Sequence, residues 1–243
     1  MQICRGFTTA QWKGLSKRLL QDEAIRRDGA DWRCAVDVFE RRIRERFLSC
    51  IEALQEADSK LDVEVSDEAP ANCSTLPEDD GAAVVVPGFS IMALCCLLVE
   101  TLQSFRTASH PAATIDTTCT FPDGPCIRPE SGTTVAFIIF LQRPSFGNEF
   151  VDHAVAKSFV TGVRNGILHE AETRRWAIWR DEPKERMIAL LPGSPHRYAV
   201  NRTAFYAAVK AEFLSYIDEL RNASDEALRR RFVKKMNDIA KEA

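Results

Sequence analysis

The segment SIMALCCLLVETLQSFR, residues 90–106, constrains the fold more than any other. It is apolar almost all round until Glu100. A helix without a polar stripe has to be covered by neighbours, so this one is the expected central buried helix, opened by Ser90. Its longest apolar run, IMALCCLLV, is shorter than the ~20 residues that a bilayer-spanning helix needs. Glu100 adds a second constraint. A buried carboxylate is costly unless it is paired, so a cation elsewhere in the chain has to reach it, and Arg164 is a candidate.

The other segments supply partners for such a core helix. In DWRCAVDVFERRIRERFLSCIEALQEA, the positions Val36, Phe39, Ile43, Phe47, Cys50, Ile51 and Leu54 follow three-four spacing, with Asp31 as the expected cap. The opposite face carries Arg41, Arg42, Arg44 and Arg46 among glutamates. It reads as a solvated, ion-paired face rather than an RNA track. Residues 8–28 predict a shorter helix capped by Thr8 or Thr9, with Trp12, Leu15, Leu19 and Leu20 as its apolar face. In FGNEFVDHAVAKSFVTGVRNGILHEAE, the residues Val151, Val155, Phe159, Val163 and Ile167 step by four. TAFYAAVKAEFLSYIDEL is a helix capped by Asn201 or Thr203. ASDEALRRRFVKKMNDIAKEA is a last amphipathic helix, with Leu228, Phe232, Met236 and Ile239 on one face.

Two stretches, 58–80 and 107–133, have no sustained period and read as loop insertions. TTVAFIIFLQR stays open between strand and helix, because it is β-branched yet apolar at nearly every position. WAIWR and MIALL are strand-like runs separated by DEPKER, which predicts a hairpin, and HRYAV is a third strand candidate after a turn at Pro192, Gly193 and Pro195. The sum is a mainly α chain. It reads as a single domain over 1–243, an antiparallel helical bundle with a small β-hairpin insertion near 176–200.

Composition narrows the function. The formal net charge is -3, with 35 acids against 32 bases, so a polyanion site would have to be a local patch. The eight cysteines form no CxxC pair and have no histidine at zinc-finger spacing, so no metal is expected. Cys34, Cys50, Cys95 and Cys96 fall in apolar helical stretches and read as small hydrophobes of a reduced, intracellular protein. The N-terminus MQICRGFTTAQW has no apolar leader region. The expectation is a cytoplasmic protein with no membrane partner. The absence of a Rossmann fingerprint, a P-loop and a GxSxG elbow disfavours nucleotide-driven motors and α/β-hydrolases, and no cofactor is implied.

The stretch RNGILHE, Arg164 to Glu170, interrupts a helix whose other positions read as core. Asn165 and His169 are four apart and share a face, whereas Arg164 and His169 diverge by about 140°. Gly166 costs about 1 kcal/mol relative to alanine inside a helix and marks an irregularity or a close backbone approach. Taken as ordinary helix residues, Arg164 pairs with an acid, His169 is a satisfied, semi-buried histidine and Gly166 allows close packing. Glu170 and Glu172 are nearby exposed helix acids that read as inert, with tuning of His169 by Glu170 as the alternative. His110 and His196 lie beside prolines and read as surface residues. His153 is too far along the helix to act with His169 in one chain.

The order Arg164, Asn165, three further positions, His169 resembles the signature of the HEPN superfamily of helical domains. The wider string FVTGVRNGILHEAETRRW is similar to bacterial proteins with R(N/C)G(I/L)LHEA-type cores. The preceding LLVETLQSF and the later VNRTAFYAAVKAEFLSYIDELR add to the likeness, which covers about residues 90–220. The resemblance implies a HEPN-like bundle and metal-independent cleavage of RNA, in a toxin or antiviral-defence setting with an antitoxin or regulatory protein as a further partner. It also implies a homodimer in which the motifs of two copies meet in one cleft. Arg164, Asn165 and His169 are then the catalytic candidates, Arg174 and Arg175 bind substrate, and Glu100 and Glu170 support them. Arg180 extends the basic patch. The chemistry suits these residue types. RNA carries its own nucleophile, a histidine of ordinary pKa (about 6.5) moves protons near neutrality, and an arginine fork steadies phosphate charge. The same resemblance also accommodates a non-catalytic nucleotide-binding, RNA-binding or protein-interaction module, or a dimer in which the motif only packs.

Overall fold

The protein is described by a computed structural model covering residues 1–21, 25, 28–64, 87–107, 120–121, 124–125, 132–222 and 225–241. It is mainly α. The apolar segment forms α4, Gly88–Thr107, and α3, α5, α7, α8 and α9 pack around it, where α3 is Ser49–Glu64, α5 is Gly132–Leu141, α7 is Asn165–Glu170, α8 is Arg202–Asn222 and α9 is Glu226–Lys241. By length and composition α4 is able to cross a membrane, but 61% of its most apolar window is buried inside the fold, as in a core helix. Ile91, Met92, Cys95, Cys96, Leu98, Val99, Leu102 and Phe105 face inward. The covering is incomplete: Phe89 and Leu97 are exposed, so one apolar stripe of the helix stays open.

Local chemistry explains most element boundaries. α1, Thr9–Gln21, starts with a reciprocal cap: Gln11 N–H donates to Thr8 Oγ1 at 3.3 Å, and Thr8 N–H donates to Gln11 Oε1 at 2.8 Å. It ends well before residue 28. A hairpin that the residue pattern does not announce, β1 (Gln2–Cys4) with β2 (Phe7–Thr8), precedes it. α2, Ala30–Ile43, runs through a π-helical turn, Arg44–Leu48, into α3. Asp31 does not cap it; the N-cap is Gly29, and Asp31 pairs with Arg18 at 2.9 Å instead. Cys34 and Cys50 are exposed rather than core, unlike Cys95 and Cys96; Cys73, Cys119 and Cys126 lie outside the described residues. The start of the 58–80 stretch is helical, since α3 continues to Glu64. Within 107–133, β3 (Thr120–Phe121) pairs with β4 (Gly124–Pro125). TTVAFIIFLQR resolves as a helix, α5, with Val135, Ala136, Phe137, Ile138, Phe140 and Leu141 all buried.

Residues 153–170 form one helix in three parts: α6 (His153–Phe159), a π-helical turn (Val160–Arg164) and α7. The strands that follow correct the expected hairpin. β5, Trp176–Trp179, and β6, Ile188–Leu190, are not neighbours. Both flank β7, Tyr198–Asn201, in the order β5-β7-β6, parallel on one side and antiparallel on the other. The hairpin is β6–β7, turned through Pro192–Pro195, where Gly193 takes φ +77°. Asn201 then caps α8, its Oδ1 accepting the Ala204 N–H at 2.9 Å.

Two aromatic groups fill the core. Phe39, Phe105, Tyr216 and Phe232 meet on one side, with Phe39 and Phe105 centroids 4.4 Å apart; Phe146, Phe150, Phe159, Phe205 and Trp176 meet on the other. A charged network ties α4, the end of α5 and α8 together. Arg106 makes paired bonds to Glu219 at 2.7 and 2.9 Å, and Arg143 holds Glu212, which also accepts the Ser145 N–H at 3.1 Å. Glu212 is only 2% exposed. Burial alone would raise its pKa, but the bonds from Arg143 and Ser145 outweigh that and hold it below the ordinary carboxylate range. Glu219 is lowered in the same balance, burial against Arg106.

A folded-state pKa below the unfolded one gives stability that is complete above the ordinary glutamate value, about 4.3, and is lost as pH falls through the lowered value. Glu212→Gln is therefore expected to cost about 3 kcal/mol at neutral pH and to flatten the acid limb of stability against pH, read by urea denaturation at several pH values. An acid limb identical to that of the parent protein would show that Glu212 carries no such linkage.

Candidate functional site

The site is assembled where the helix of residues 153–170 ends against α4. Asp152 caps its start, accepting the Ala154 N–H at 2.7 Å. At its other end Ala171 adopts the left-handed conformation, φ +54°, and Arg175 does so again at φ +60°. Two left-handed non-glycine residues within one short segment cost on the order of 1–3 kcal/mol each, and the packing around them has to offset that. They reverse the chain and lay residues 172–176 back along the helix that precedes them.

The two glycines of the helix make that reversal possible. Glu172 N–H donates to the Gly166 carbonyl at 3.3 Å, and Arg174 N–H donates to the Gly162 carbonyl at 3.0 Å. A Cβ on Gly162 would sit 2.6 Å from the Arg174 carbonyl oxygen, and one on Gly166 would overlap the Glu172 carbonyl oxygen. Gly162 and Gly166 are one helical step of four apart, so they form a single flat face for the returning backbone. The packing role expected of Gly166 is present, and Gly162, which residue spacing did not single out, shares it. Trp176 seals the far end. Its indole N–H reaches Ser158 Oγ at 3.1 Å, and its ring stacks on Tyr198 with centroids 4.8 Å apart.

Arg164 and Glu100 meet as expected. Arg164 Nε donates to Glu100 Oε1 at 2.5 Å, its Nη2 pairs with the same carboxylate, and its Nη1 donates to Asn165 Oδ1 at 2.7 Å. Both side chains are mostly covered, 16% exposed for Arg164 and 18% for Glu100. Of the five N–H donors on a guanidinium, these contacts occupy three and leave two. Asn165 therefore braces Arg164, and among the described residues no hydrogen bond joins it to His169 although the two share a helix face. His169 is exposed, not semi-buried, and among the described residues no hydrogen bond or ion pair holds its ring. Glu170 turns to Arg174, whose Nε it accepts at 2.8 Å; that bond from Arg174 lowers the Glu170 carboxyl.

The expected basic patch of Arg164, Arg174, Arg175 and Arg180 does not form as a field of free cations. Arg164 is matched by Glu100 and Arg174 by Glu170, while Arg180 pairs with Asp58 at 2.7 Å. Arg175 alone of the four has no acidic partner among the described residues. It lines an open cleft of about 410 Å³ with Arg197 and the Leu191–Pro195 turn. Arg197 has no ion pair among the described residues and lies over the Tyr198 ring at 5.4 Å. Sequence reasoning missed Arg197, and β7 is what brings it beside Arg175: Arg197 N–H and Tyr198 N–H both donate to the Arg175 carbonyl, at 2.7 and 3.2 Å. His153 is the first residue of α6, remote from His169 along the helix; His196 is half-buried rather than a free surface residue, and His110 lies outside the described residues. No group of three or more metal-ligating side chains occurs among the described residues.

Alanine at Gly162 or Gly166 is expected to destabilise the protein by about 1–3 kcal/mol, despite the better helix propensity of alanine, because the added methyl meets backbone and not a movable side chain. Denaturant midpoints of the two variants measure it, and an unchanged or raised midpoint would disprove the close crossing. No family model, curated protein or solved structure matches the chain.

Proposed function

We propose that the chain is a metal-independent endoribonuclease acting as a homodimer, with Arg164 and His169 as its chemical groups. The observation that carries the proposal is a division of labour within one turn and a half of helix: Arg164 is fixed by Glu100 and Asn165, whereas His169 is exposed and makes no hydrogen bond among the described residues. An arginine held in place with donors to spare suits a phosphate whose charge rises in the transition state. A solvent-facing imidazole suits proton transfer to or from a ribose hydroxyl. Cleavage by the 2′-hydroxyl needs one group to take a proton and another to deliver one. A single protomer offers one such histidine, and a two-fold pair of helix ends supplies the second. Arg175 and Arg197 lie at the cleft beyond the reversed segment and suit the flanking phosphates of a strand.

One observation favours a second reading, a binding module without turnover. The Arg164 charge is already balanced by Glu100 inside one protomer, which weakens its pull on a phosphate. Turnover decides between the two. The protein is expected to cleave single-stranded RNA in the presence of a chelator, and His169→Ala is expected to slow cleavage by about 10²–10⁴-fold with an unchanged circular dichroism spectrum, since the side chain is exposed. RNA bound but never cut would establish the second reading, and cleavage at full rate by His169→Ala would reject the first.

A further inference from the structure

A groove between α2, α4 and α9 carries positive charge that no spare acid neutralises among the described residues. It encloses about 320 Å³ and shares only Glu100 with the motif cluster, since Arg164, Asn165 and His169 do not line it. Arg42, Arg46 and Lys235 line it. The arginine face that begins on α2 was expected to be ion-paired, and in part it is: Arg44 pairs with Glu40, whereas Arg41 donates only to the Arg5 carbonyl. Arg42 and Arg46 depart from that pattern. Arg42 is half-buried, and its hydrogen bond to the Ile3 carbonyl at 2.7 Å, the one it makes among the described residues, brings no negative charge. Burial first, and the neighbouring charge of Arg46 second, push its guanidinium down to about 10, the mark of a cation that lacks a counter-ion. Neither Arg46 nor Lys235 has an ion pair among the described residues. Glu100, the one acid of the lining, is already engaged by Arg164.

The remaining walls are not those of a simple ion site. Phe47, Leu97 and Ile239 give an apolar floor, and Leu97 is 40% exposed although it belongs to the core helix. Thr101 and Ser104 spend their hydroxyl hydrogens on the α4 carbonyls of Leu97 and Thr101, at 2.8 and 2.7 Å. Their oxygens are left to accept hydrogen bonds in the groove. Three cations around an apolar bed with two acceptors complement a compact dianion that carries a flat apolar body and polar hydrogens. The volume is at the lower end of the range for small-ligand sites, about 300–1,000 Å³, which suits one small molecule and not a polymer segment.

We propose that this groove binds a small organic phosphomonoester, its phosphate held by Arg42, Arg46 and Lys235 and its planar body laid on Phe47, Leu97 and Ile239. The site is distinct from the His169 helix end, so it goes beyond the nuclease reading and stands or falls separately from it.

Calorimetric titration of the full chain with phenyl phosphate and with adenosine monophosphate tests the proposal. Phenol, adenosine and inorganic phosphate serve as partial ligands. Both esters are expected to bind, and each partial ligand is expected to bind at least about tenfold more weakly, because it lacks either the charge-assisted bonds or the apolar contact. Arg46→Glu and Lys235→Glu are each expected to weaken ester binding by about tenfold or more, with circular dichroism confirming the fold, whereas His169→Ala binds as the parent protein does. No binding of either ester, equal binding by the two charge-reversed variants, inorganic phosphate bound as tightly as the esters, or loss of binding in His169→Ala would each overturn it.

Discussion

A carboxylate on the apolar central helix sets the arrangement of what packs around it. α4 carries two charged residues, Glu100 and Arg106. Neither can leave the fold, because the helix that bears them is the core. Each is matched by a residue from an element that arrives much later in the chain: Glu100 by Arg164, and Arg106 by Glu219 of α8. Apolar packing alone tolerates many slides and rotations of one helix on another. A covered charge does not, since leaving either partner unpaired costs several kcal/mol. The two ion pairs therefore fix where α7 and α8 lie along α4. The motif arginine is thus a structural anchor before it is anything else, and its position beside α4 is what gives the helix end of RNGILHE a defined place.

Helix identity was legible in the residues wherever one face differed from the other. The inward sets of α8 and α9 follow directly from three-four spacing, and the Thr8 and Asn201 caps follow from short polar side chains placed just before apolar runs. Legibility ends where the pattern carries no direction. TTVAFIIFLQR is apolar at every phase, so neither a period of 2 nor one of 3.6 stands out, and only its burial on all sides against α4 and α6 makes it a helix. The strands show a different failure. Short runs joined by a polar, proline-containing link suggest a hairpin, but strand pairing is decided by which edge is free. β7 arrives last and takes the place between β5 and β6. Asp31 looks like a cap by type, yet Arg18 from α1 offers it a stronger, charged partner.

The candidate site divides in the same way. That Arg164 needs an acid, and that Gly166 needs a near neighbour, are consequences of burial and of a missing Cβ, and both could be read from residue types. Charge neutrality over distance could not. Arg180 looks free beside Arg174 and Arg175 in the chain, and Asp58, from a stretch expected to be irregular, pairs with it while also holding Arg202. Arg42 and Arg46 look paired among glutamates in the chain, and the helix turns them toward a groove that holds no spare acid among the described residues. Local sequence shows which charges exist. Only the packing of distant helices shows which remain uncompensated, and uncompensated charge is what a ligand recognises.

The glycine face links this electrostatic skeleton to chemistry. Were residue 166 larger, the chain leaving α7 could not cross back so closely, and the strand β5 with its Trp176 seal would be displaced from the helix. Glu172 and Arg174 bond through their backbone N–H groups to the carbonyls of Gly166 and Gly162, which ties down the end of the helix without using a side chain near His169. The neighbouring acid and base, Glu170 and Arg174, are satisfied by each other. The backbone near residue 169 is thereby tied down while the imidazole makes no hydrogen bond or ion pair among the described residues. An ordinary surface histidine has freedom without a fixed platform, and an ordinary core histidine has a platform without freedom. The combination of the two, about one turn and a half beyond a clamped guanidinium, is what the proposed proton transfer at a phosphodiester would use.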